Sequence, residues 1–270
     1  MEETRTAPPP GSLGLPDVAD IGMSAPFRWL ALGWRDFMRA PGPCLVYGLC
    51  LVVVSGLFVW ALMAAGFAVW VLVLSCGFVF VAPMLAMGLY EAGRALDAGE
   101  RPRLTRMFLV SSAIRRDVAF LGLALMLLYL FWGRIAQLVY GLSTNRAHRT
   151  FNDVLEWALN TPGGHGMLIA GTILGGVIAF LTYCLVVVSA PMLLDRRNDI
   201  FIATVTSVRS VNRNFAPMLV WAGLVAAITL MSMLCGLLPL AIAFPWLGLA
   251  SWRAFRELVP GLAPPEPGKG

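Results

Sequence analysis

Residues 44–89 read CLVYGLCLVVVSGLFVWALMAAGFAVWVLVLSCGFVFVAPMLAMGL, with no charged side chain among them. A helix needs about 20 apolar residues to cross the hydrocarbon core of a bilayer, so this segment is long enough to cross twice. Gly66 stands midway, where a tight turn is expected. The pattern predicts two antiparallel membrane spans, Cys44–Ala65 and Phe67–Leu89.

Apolar runs of comparable length recur along the rest of the chain. They predict four more spans, at Val118–Leu142, Met167–Leu194, Phe215–Cys235 and Leu237–Trp252. The composition agrees, because 59% of the 270 residues are hydrophobic and only 13% are charged, about half the charged fraction of a soluble domain. The sequence therefore predicts an all-α polytopic membrane bundle of six transmembrane helices.

Cationic side chains are distributed unequally between the two sides of this bundle. If the spans alternate in direction, 17 of the 20 arginines and lysines fall on one side. The long loop on the other side holds Arg146 and Arg149, and Arg134 lies within the third span. Loops rich in Arg and Lys stay in the cytoplasm. We therefore expect both termini to be cytoplasmic.

Three segments on the predicted cytoplasmic side are amphipathic. The first, which Ser24 can cap, has an apolar side formed by Phe27, Leu30, Trp34, Phe37 and Met38. Its charged side is formed by Arg28, Arg35, Asp36 and Arg39. Segments 104–116 and 200–214 have the same character, which is typical of helices that lie flat among the headgroups. We expect lipid or partner contacts from Trp34, Arg35, Arg39, Arg115, Arg116, Arg209 and Arg213.

Each amphipathic segment is followed by two spans, and a proline stands near the inner end of the second span. The strings VAPML around Pro83 and SAPML around Pro191 match closely, and AFPWL around Pro245 matches more loosely. This pattern predicts a threefold repeat of one amphipathic helix and one hairpin. Proline inside a helix frees a backbone carbonyl, so the three prolines are candidate hinges, or they simply splay the helix.

Polar side chains that could carry chemistry are few. Arg134 and Gln137, one turn apart in the third span, form either a functional intramembrane site or a pair that reaches toward the outer headgroups. The outer loop 143–166 contains His148, His165, Asp153 and Glu156, but without metal-ligand spacing. We interpret these four as capping and surface residues, and expect no metal and no cofactor.

The remaining features concern packing and the ends of the chain. Gly171 and Gly175 form a G-x-x-x-G pattern, which favours close helix packing within the bundle or, alternatively, dimerisation. Residues 1–26 and 259–270 are rich in proline and glycine and are predicted to be disordered cytoplasmic tails. The membrane domain is then 27–258.

The chain contains LGWRDFMRAP at 32–41, LVYGL at 45–49, SAPMLLDR at 189–196 and SVRSVNRN at 207–214. These strings resemble an uncharacterised bacterial family of predicted integral membrane proteins, over about Trp29 to Leu258. The resemblance implies a multi-pass inner-membrane protein of unknown function. Some members are labelled cytochrome c oxidase subunit I, but no histidine lies inside a span, as haem ligation would require. The label then implies at most association with a respiratory complex.

The absence of a catalytic motif and the arginine-rich inner surface favour one function. We expect a non-enzymatic scaffold, assembly or envelope-maintenance factor that contacts anionic lipid headgroups, a respiratory complex or another inner-membrane complex, and no nucleic acid. The alternative is a transporter or lipid-handling channel that uses the proline-containing spans as moving parts. It requires a cavity that reaches Arg134 and Gln137.

Overall fold

The fold is seen in a computed structural model, which describes residues 15–67, 71, 77–110, 116–145, 148, 150–195 and 199–260. The described residues form helices and turns, with no strand among them. Their helices are α1 (Ala25–Arg39), α2 (Pro41–Ala64), α3 (Phe78–Leu85), α4 (Met87–Asp97), α5 (Leu104–Phe108), α6 (Arg116–Ser143), α7 (Phe151–Asn160), α8 (Pro162–Val186), α9 (Ser189–Asp195), α10 (Ile200–Arg213), α11 (Phe215–Leu234) and α12 (Leu240–Leu258). The predicted all-α class is confirmed.

Five helical segments in the described ranges are long and apolar enough to cross a membrane. They are α2, α3 with α4, α6, α8 with α9, and α11. The sixth predicted span corresponds to α12, which is not among the five and carries Arg253, Arg256 and Glu257 in its last turns. Several spans are therefore shown, and the count of six is not confirmed.

Helix α12 occupies the centre of the bundle. It packs against α1, α2, α4 and α11, and thirteen of its 19 residues are buried. Glycine allows close approaches here, because a Cβ atom added to Gly48 of α2 would lie 2.1 Å from the Ala241 carbonyl oxygen, and one added to Gly33 of α1 would lie 2.6 Å from the Cβ of Ala250. Protein rather than lipid thus covers most of this helix.

The apolar helices α2, α6 and α11 expose most of their surface. Only 11% of the most apolar part of α2 and 22% of that of α6 and α11 is buried. Their exposed side chains include Val54, Leu57 and Trp60 on α2 and Leu138 on α6. An apolar surface of this extent needs cover from lipid or from other helices, which agrees with a membrane protein.

The amphipathic helix α1 is present, but it also has a buried side that the sequence did not indicate. Trp29, Gly33 and Phe37 are buried, and so is Asp36, which the sequence pattern places on the charged side. Asp36 is 3% exposed, because α12 covers it and supplies an arginine. The apolar side chains that remain exposed are Phe27, Trp34 and Met38.

Residues 15–24 belong to the segment predicted as a tail, and this described part is held against the helices. The Ala19 amide donates a hydrogen bond of 2.9 Å to the Leu258 carbonyl. The Asn214 side chain accepts from the Ile21 amide at 2.8 Å and donates to the Ala19 carbonyl at 2.9 Å. Val18 is buried. The rest of both predicted tails, 1–14 and 261–270, lies outside the described residues.

Candidate functional site

An ion-pair cluster, formed by Asp36, Asp97, Trp252, Arg253 and Arg256, joins α1, α4 and α12. Arg253 Nε donates to Asp36 Oδ2 at 2.5 Å, and Arg253 Nη1 donates to Asp97 Oδ1 at 2.6 Å. Arg256 Nε lies 3.3 Å from Asp97 Oδ2, which also accepts from Trp252 Nε1 at 2.9 Å. One guanidinium therefore bridges two carboxylates on two different helices.

Burial makes this cluster different from a surface ion pair. The side chains of Asp36, Asp97 and Arg253 are 4%, 14% and 21% exposed. The hydrogen bonds and charges of the two carboxylates compensate the cost of burying the Arg253 guanidinium. Arg253 thus stays charged and fixes the three helices to each other.

No local sequence pattern indicates this cluster, because its members are far apart in the chain. Asp36 and Asp97 contribute from different helices, and no short motif contains both. A signal was nevertheless present. Asp36 stands one turn after Gly33 and one turn before Ala40, on a side of α1 that otherwise carries small and aromatic residues.

The residues predicted to contact lipid or partners are exposed where the structure describes them. Trp34 stacks on Phe37, with ring centroids 5.4 Å apart, and is 42% exposed. Arg35 and Arg209 are exposed and form no ion pair with a described residue. Arg116 lies over the Phe120 ring, 5.4 Å from its centroid. Arg115 lies outside the described residues.

Two of the predicted contact residues also bind acids of this chain. Arg39 Nη1 lies 3.4 Å from Asp36 Oδ1. Arg213 holds Asp20 through two hydrogen bonds of 2.5 and 2.6 Å. The hydrogen bond to Arg213 lowers the pKa of the Asp20 carboxyl from its ordinary value, and the same bond raises the pKa of Arg213. Arg213 therefore also ties the N-terminal segment to α10.

The proline-containing spans are interrupted at two of the three predicted hinges. The first interruption is at Ala86, between α3 and α4 and three residues after Pro83. There the Tyr47 hydroxyl of α2 donates to the Leu85 carbonyl at 2.6 Å. Pro245, in contrast, lies inside the uninterrupted α12.

The second interruption lies between α8 and α9, just before Pro191. The Ser207 hydroxyl of α10 accepts from the Val188 amide at 3.1 Å and donates to the Cys184 carbonyl at 2.7 Å. These are the two groups that would bond directly in a continuous helix. A side chain from another helix has entered the ladder, which is one of the known causes of a kink.

The predicted polar pair in the third span faces away from the bundle. Arg134 and Gln137 are both exposed on α6, and Arg134 Nη1 donates to Gln137 Oε1 at 3.1 Å. This placement fits side chains that extend toward the headgroup region better than a buried site.

The segment predicted as an outer loop contains helix α7, and its polar residues serve structural purposes. Thr150 and Asp153 form a capping box at its N-terminus. His148 Nδ1 lies 2.7 Å from the Tyr140 hydroxyl, and His165 Nε2 lies 2.7 Å from the Leu159 carbonyl. Within the described part of the chain, no group of three or more His, Cys, Asp and Glu could hold a metal ion.

A cavity of about 440 Å³ lies between α3, α6, α7 and α8. Gly175 packs on the Trp132 ring, where an added Cβ would lie 2.9 Å from a ring carbon, whereas Gly171 and Gly176 leave open space. In the G-x-x-x-G pattern, Gly175 therefore serves helix packing and Gly171 shapes the cavity. The lining residues are Val79, Phe80, Trp132, Ala136, Val139, Tyr140, Val154, Met167, Leu168, Gly171, Thr172, Gly175, Gly176 and Ala179.

These helices define a polytopic integral membrane protein. Residues 70–195, just under half of the chain, match the family described as "Predicted integral membrane protein (DUF2189)". The predicted resemblance to an uncharacterised multi-pass membrane family is confirmed. The match includes the string around Pro191, whereas the strings at 32–49 and 207–214 lie outside it. No curated protein and no solved structure matches the chain.

Proposed function

We propose that this protein is a non-enzymatic scaffold or assembly factor of the bacterial inner membrane, whose arginine-bearing end binds anionic lipid headgroups. The observation that carries this proposal is the pairing of exposed arginines with exposed apolar side chains on the same short helices. Arg35 adjoins Trp34 on α1. On α10, Arg209 is exposed and Phe201 is 75% exposed. Guanidinium groups bind phosphate through paired hydrogen bonds while apolar neighbours enter the acyl region.

A non-enzymatic role is supported by the way the buried carboxylates are used. Asp36 and Asp97 bind arginines within the ion-pair cluster, and Glu91 binds Arg94 at 2.7 Å. A general acid or base needs a carboxyl that can face a substrate, and these three are held by cationic neighbours of this chain.

We also infer that α12 is a sixth span and that the bundle contains three helix-plus-hairpin units. The support is a cyclic pattern of contacts. The short helix of each unit packs against the second span of the preceding unit, namely α5 on α4, α10 on α9, and α1 on α12. Duplicated membrane units often pack with such pseudo-symmetry.

Both termini are proposed to be cytoplasmic, because the arginine bias predicts it. Fusion of a reporter that is active only in the cytoplasm to either end of the full chain tests this orientation. Activity at both ends is expected, and a reporter that is inactive at either end of an inserted chain contradicts the orientation. A respiratory or other inner-membrane complex as an additional partner stays a prediction.

The headgroup proposal is tested on the purified protein in neutral detergent micelles. Phosphatidylglycerol or phosphatidylcholine is added, and the melting temperature is measured. A ligand that binds the folded state stabilises it by about 2.7 kcal/mol at one hundred times its dissociation constant. We expect the anionic lipid to raise the melting temperature more than the neutral lipid, and salt to reduce the difference.

Arginine variants locate the binding. The double variant Arg35→Gln with Arg209→Gln should lose most of the anionic-lipid effect. The matched control is Arg134→Gln, which removes an exposed arginine from α6 and should retain the effect. Equal stabilisation by both lipids, or loss of the effect only in the control, would contradict the proposal.

A lipid-handling channel is the second candidate, and the cavity between α6 and α8 favours it. The cavity is lined by Ala136 and Val139 of α6 but not by Arg134 or Gln137. The channel therefore requires a further opening on that helix. Labelling of single cysteines along α6 with a water-soluble thiol reagent tests it, and a helix that is inaccessible throughout its apolar length excludes a water-filled path.

A further inference from the structure

The cavity between α3, α6, α7 and α8 is an elongated slot with apolar walls. Its lining on α8 runs from Met167 to Ala179, a length of about 18 Å at 1.5 Å per residue. Helix α7 closes one end with Val154, which is 4% exposed. Phe80 and Trp132, which pack together with Ile178, form the wall at the other end. The polar groups in the lining are hydroxyl and indole groups without charge.

The slot opens sideways rather than along the bundle. Leu168, Thr172 and Gly176 are exposed along one edge of α8, and Val79 is 41% exposed on α3 opposite them. All four belong to helical segments that are apolar and long enough to cross a membrane. The opening therefore faces the hydrocarbon of the bilayer, and hydrocarbon is the medium from which an occupant comes.

The volume of the slot indicates what kind of molecule can bind in it. A helix is about 10 Å across with its side chains, so 18 Å of helix occupies roughly 1,400 Å³, about three times the 440 Å³ of the slot. An empty apolar space of this size would remove dispersion contacts from all its walls. A flexible polymethylene chain is narrow enough to enter and apolar enough to remain.

We propose that this slot binds one acyl chain of a membrane phospholipid. The headgroup then lies at the α7 end, near Tyr140, whose hydroxyl is bonded to His148. This end is opposite to the arginine-bearing end. The acyl-chain site is therefore independent of the headgroup binding proposed above, and either can fail without the other.

The experiment uses the full-length protein reconstituted in vesicles of phosphatidylethanolamine and phosphatidylglycerol. A small fraction of phosphatidylcholine with a photoactivatable diazirine near the end of one acyl chain serves as the probe. After illumination and digestion, mass spectrometry maps the crosslinks. We expect them to concentrate on peptides that contain Trp132 and Gly171, above the level on the exposed apolar face of α2.

Two variants fill the slot from opposite walls. Gly171→Leu adds a side chain where a Cβ meets nothing within 4 Å, and Ala136→Leu enlarges the facing wall on α6. Each should lower cavity labelling on the order of tenfold, the effect of displacing about two methylene groups. The matched control is Gly133→Leu, which also adds a side chain in open space but lies outside the lining.

The outcomes separate cleanly. Labelling that falls in a folded slot-filling variant but persists in the control supports the site. The acyl-chain site is contradicted if the peptides that contain Trp132 and Gly171 are labelled no more strongly than α2. It is also contradicted if their labelling is unchanged in a folded variant whose slot is filled. If Gly171→Leu does not fold, Ala136→Leu answers the same question.

Discussion

Replacing Ser207 by alanine tests how the interruption before Pro191 is stabilised. The Ser207 hydroxyl supplies a partner to the Val188 amide and to the Cys184 carbonyl. Ser207 and Val188 are both 0% exposed, so water does not replace the lost hydroxyl. A buried polar group left without a partner costs about 1–3 kcal/mol. With two groups affected, we expect the free energy of unfolding to fall by about 2–4 kcal/mol.

The same helix provides a matched control. Ser210 is also 0% exposed, but its hydroxyl donates to the Thr206 carbonyl of its own helix at 2.8 Å. Ser210→Ala removes one hydrogen bond from a carbonyl that remains within the helix, and should cost about 0.5–1.5 kcal/mol. Each variant loses one hydroxyl oxygen from the same helix. The difference between their free energies of unfolding therefore measures the contribution of the Ser207 bridge.

Unfolding of the purified protein in mixed micelles of neutral detergent and increasing sodium dodecyl sulfate measures this difference. Far-ultraviolet circular dichroism follows the loss of helix, and reversibility is checked by dilution. The reasoning is refuted if the two variants unfold within about 0.5 kcal/mol of each other, which is the ordinary scatter of neutral substitutions. The interrupted span would then owe nothing to the bridging hydroxyl.

Two further predictions concern ion pairs. Asp36→Asn removes one partner of the largely buried Arg253 and should lower the free energy of unfolding by about 2–4 kcal/mol. Glu100→Gln removes one partner of the exposed ion pair with Arg106, whose atoms lie 3.2 Å apart, and should cost less than about 1 kcal/mol. Equal losses in the same titration would contradict the role of the cluster. Asp20→Asn should lower the melting temperature at pH 7, because hydrogen bonding to Arg213 lowers the pKa of the Asp20 carboxyl from its ordinary value. That stabilisation is fully present above the ordinary pKa of Asp20 and is lost as the pH falls through the lower pKa of the folded state. The difference in melting temperature between Asp20→Asn and the parent protein should therefore narrow on acidification, and a difference that widens would contradict the prediction.

Patterns of short range in the sequence predicted the helices well. The apolar runs identified the five described spans, and the turn at Gly66 has the positive φ of 77° that a glycine turn allows. The capping role of Asp153, at the start of helix α7, was also indicated. Each of these features depends on neighbours within a few residues or on the length of one apolar run, so no knowledge of packing is needed.

The side chains that face each other across helices could not be predicted in this way. Three features combine side chains from different helices, which a local pattern does not relate. They are the ion-pair cluster, the Ser207 bridge and the slot between α6 and α8. A hydroxyl near a helix end usually caps that helix, so the position of Ser207 in the sequence does not indicate a bridge to another helix. Its partners on α8 are 19 and 23 residues away, beyond the range of any local pattern.

Residue order was sufficient to show that this chain is a helical membrane protein, and it predicts that most cationic groups lie on one side of the membrane. It was sufficient because water and hydrocarbon sort side chains by polarity, whatever the helices pack against. The role of Asp36 depended on the assembled bundle. Whether that carboxylate faces solvent or is buried against Arg253 follows from the close approach of α1 to α12 at Gly33, and such an approach exists only when all the helices are in place.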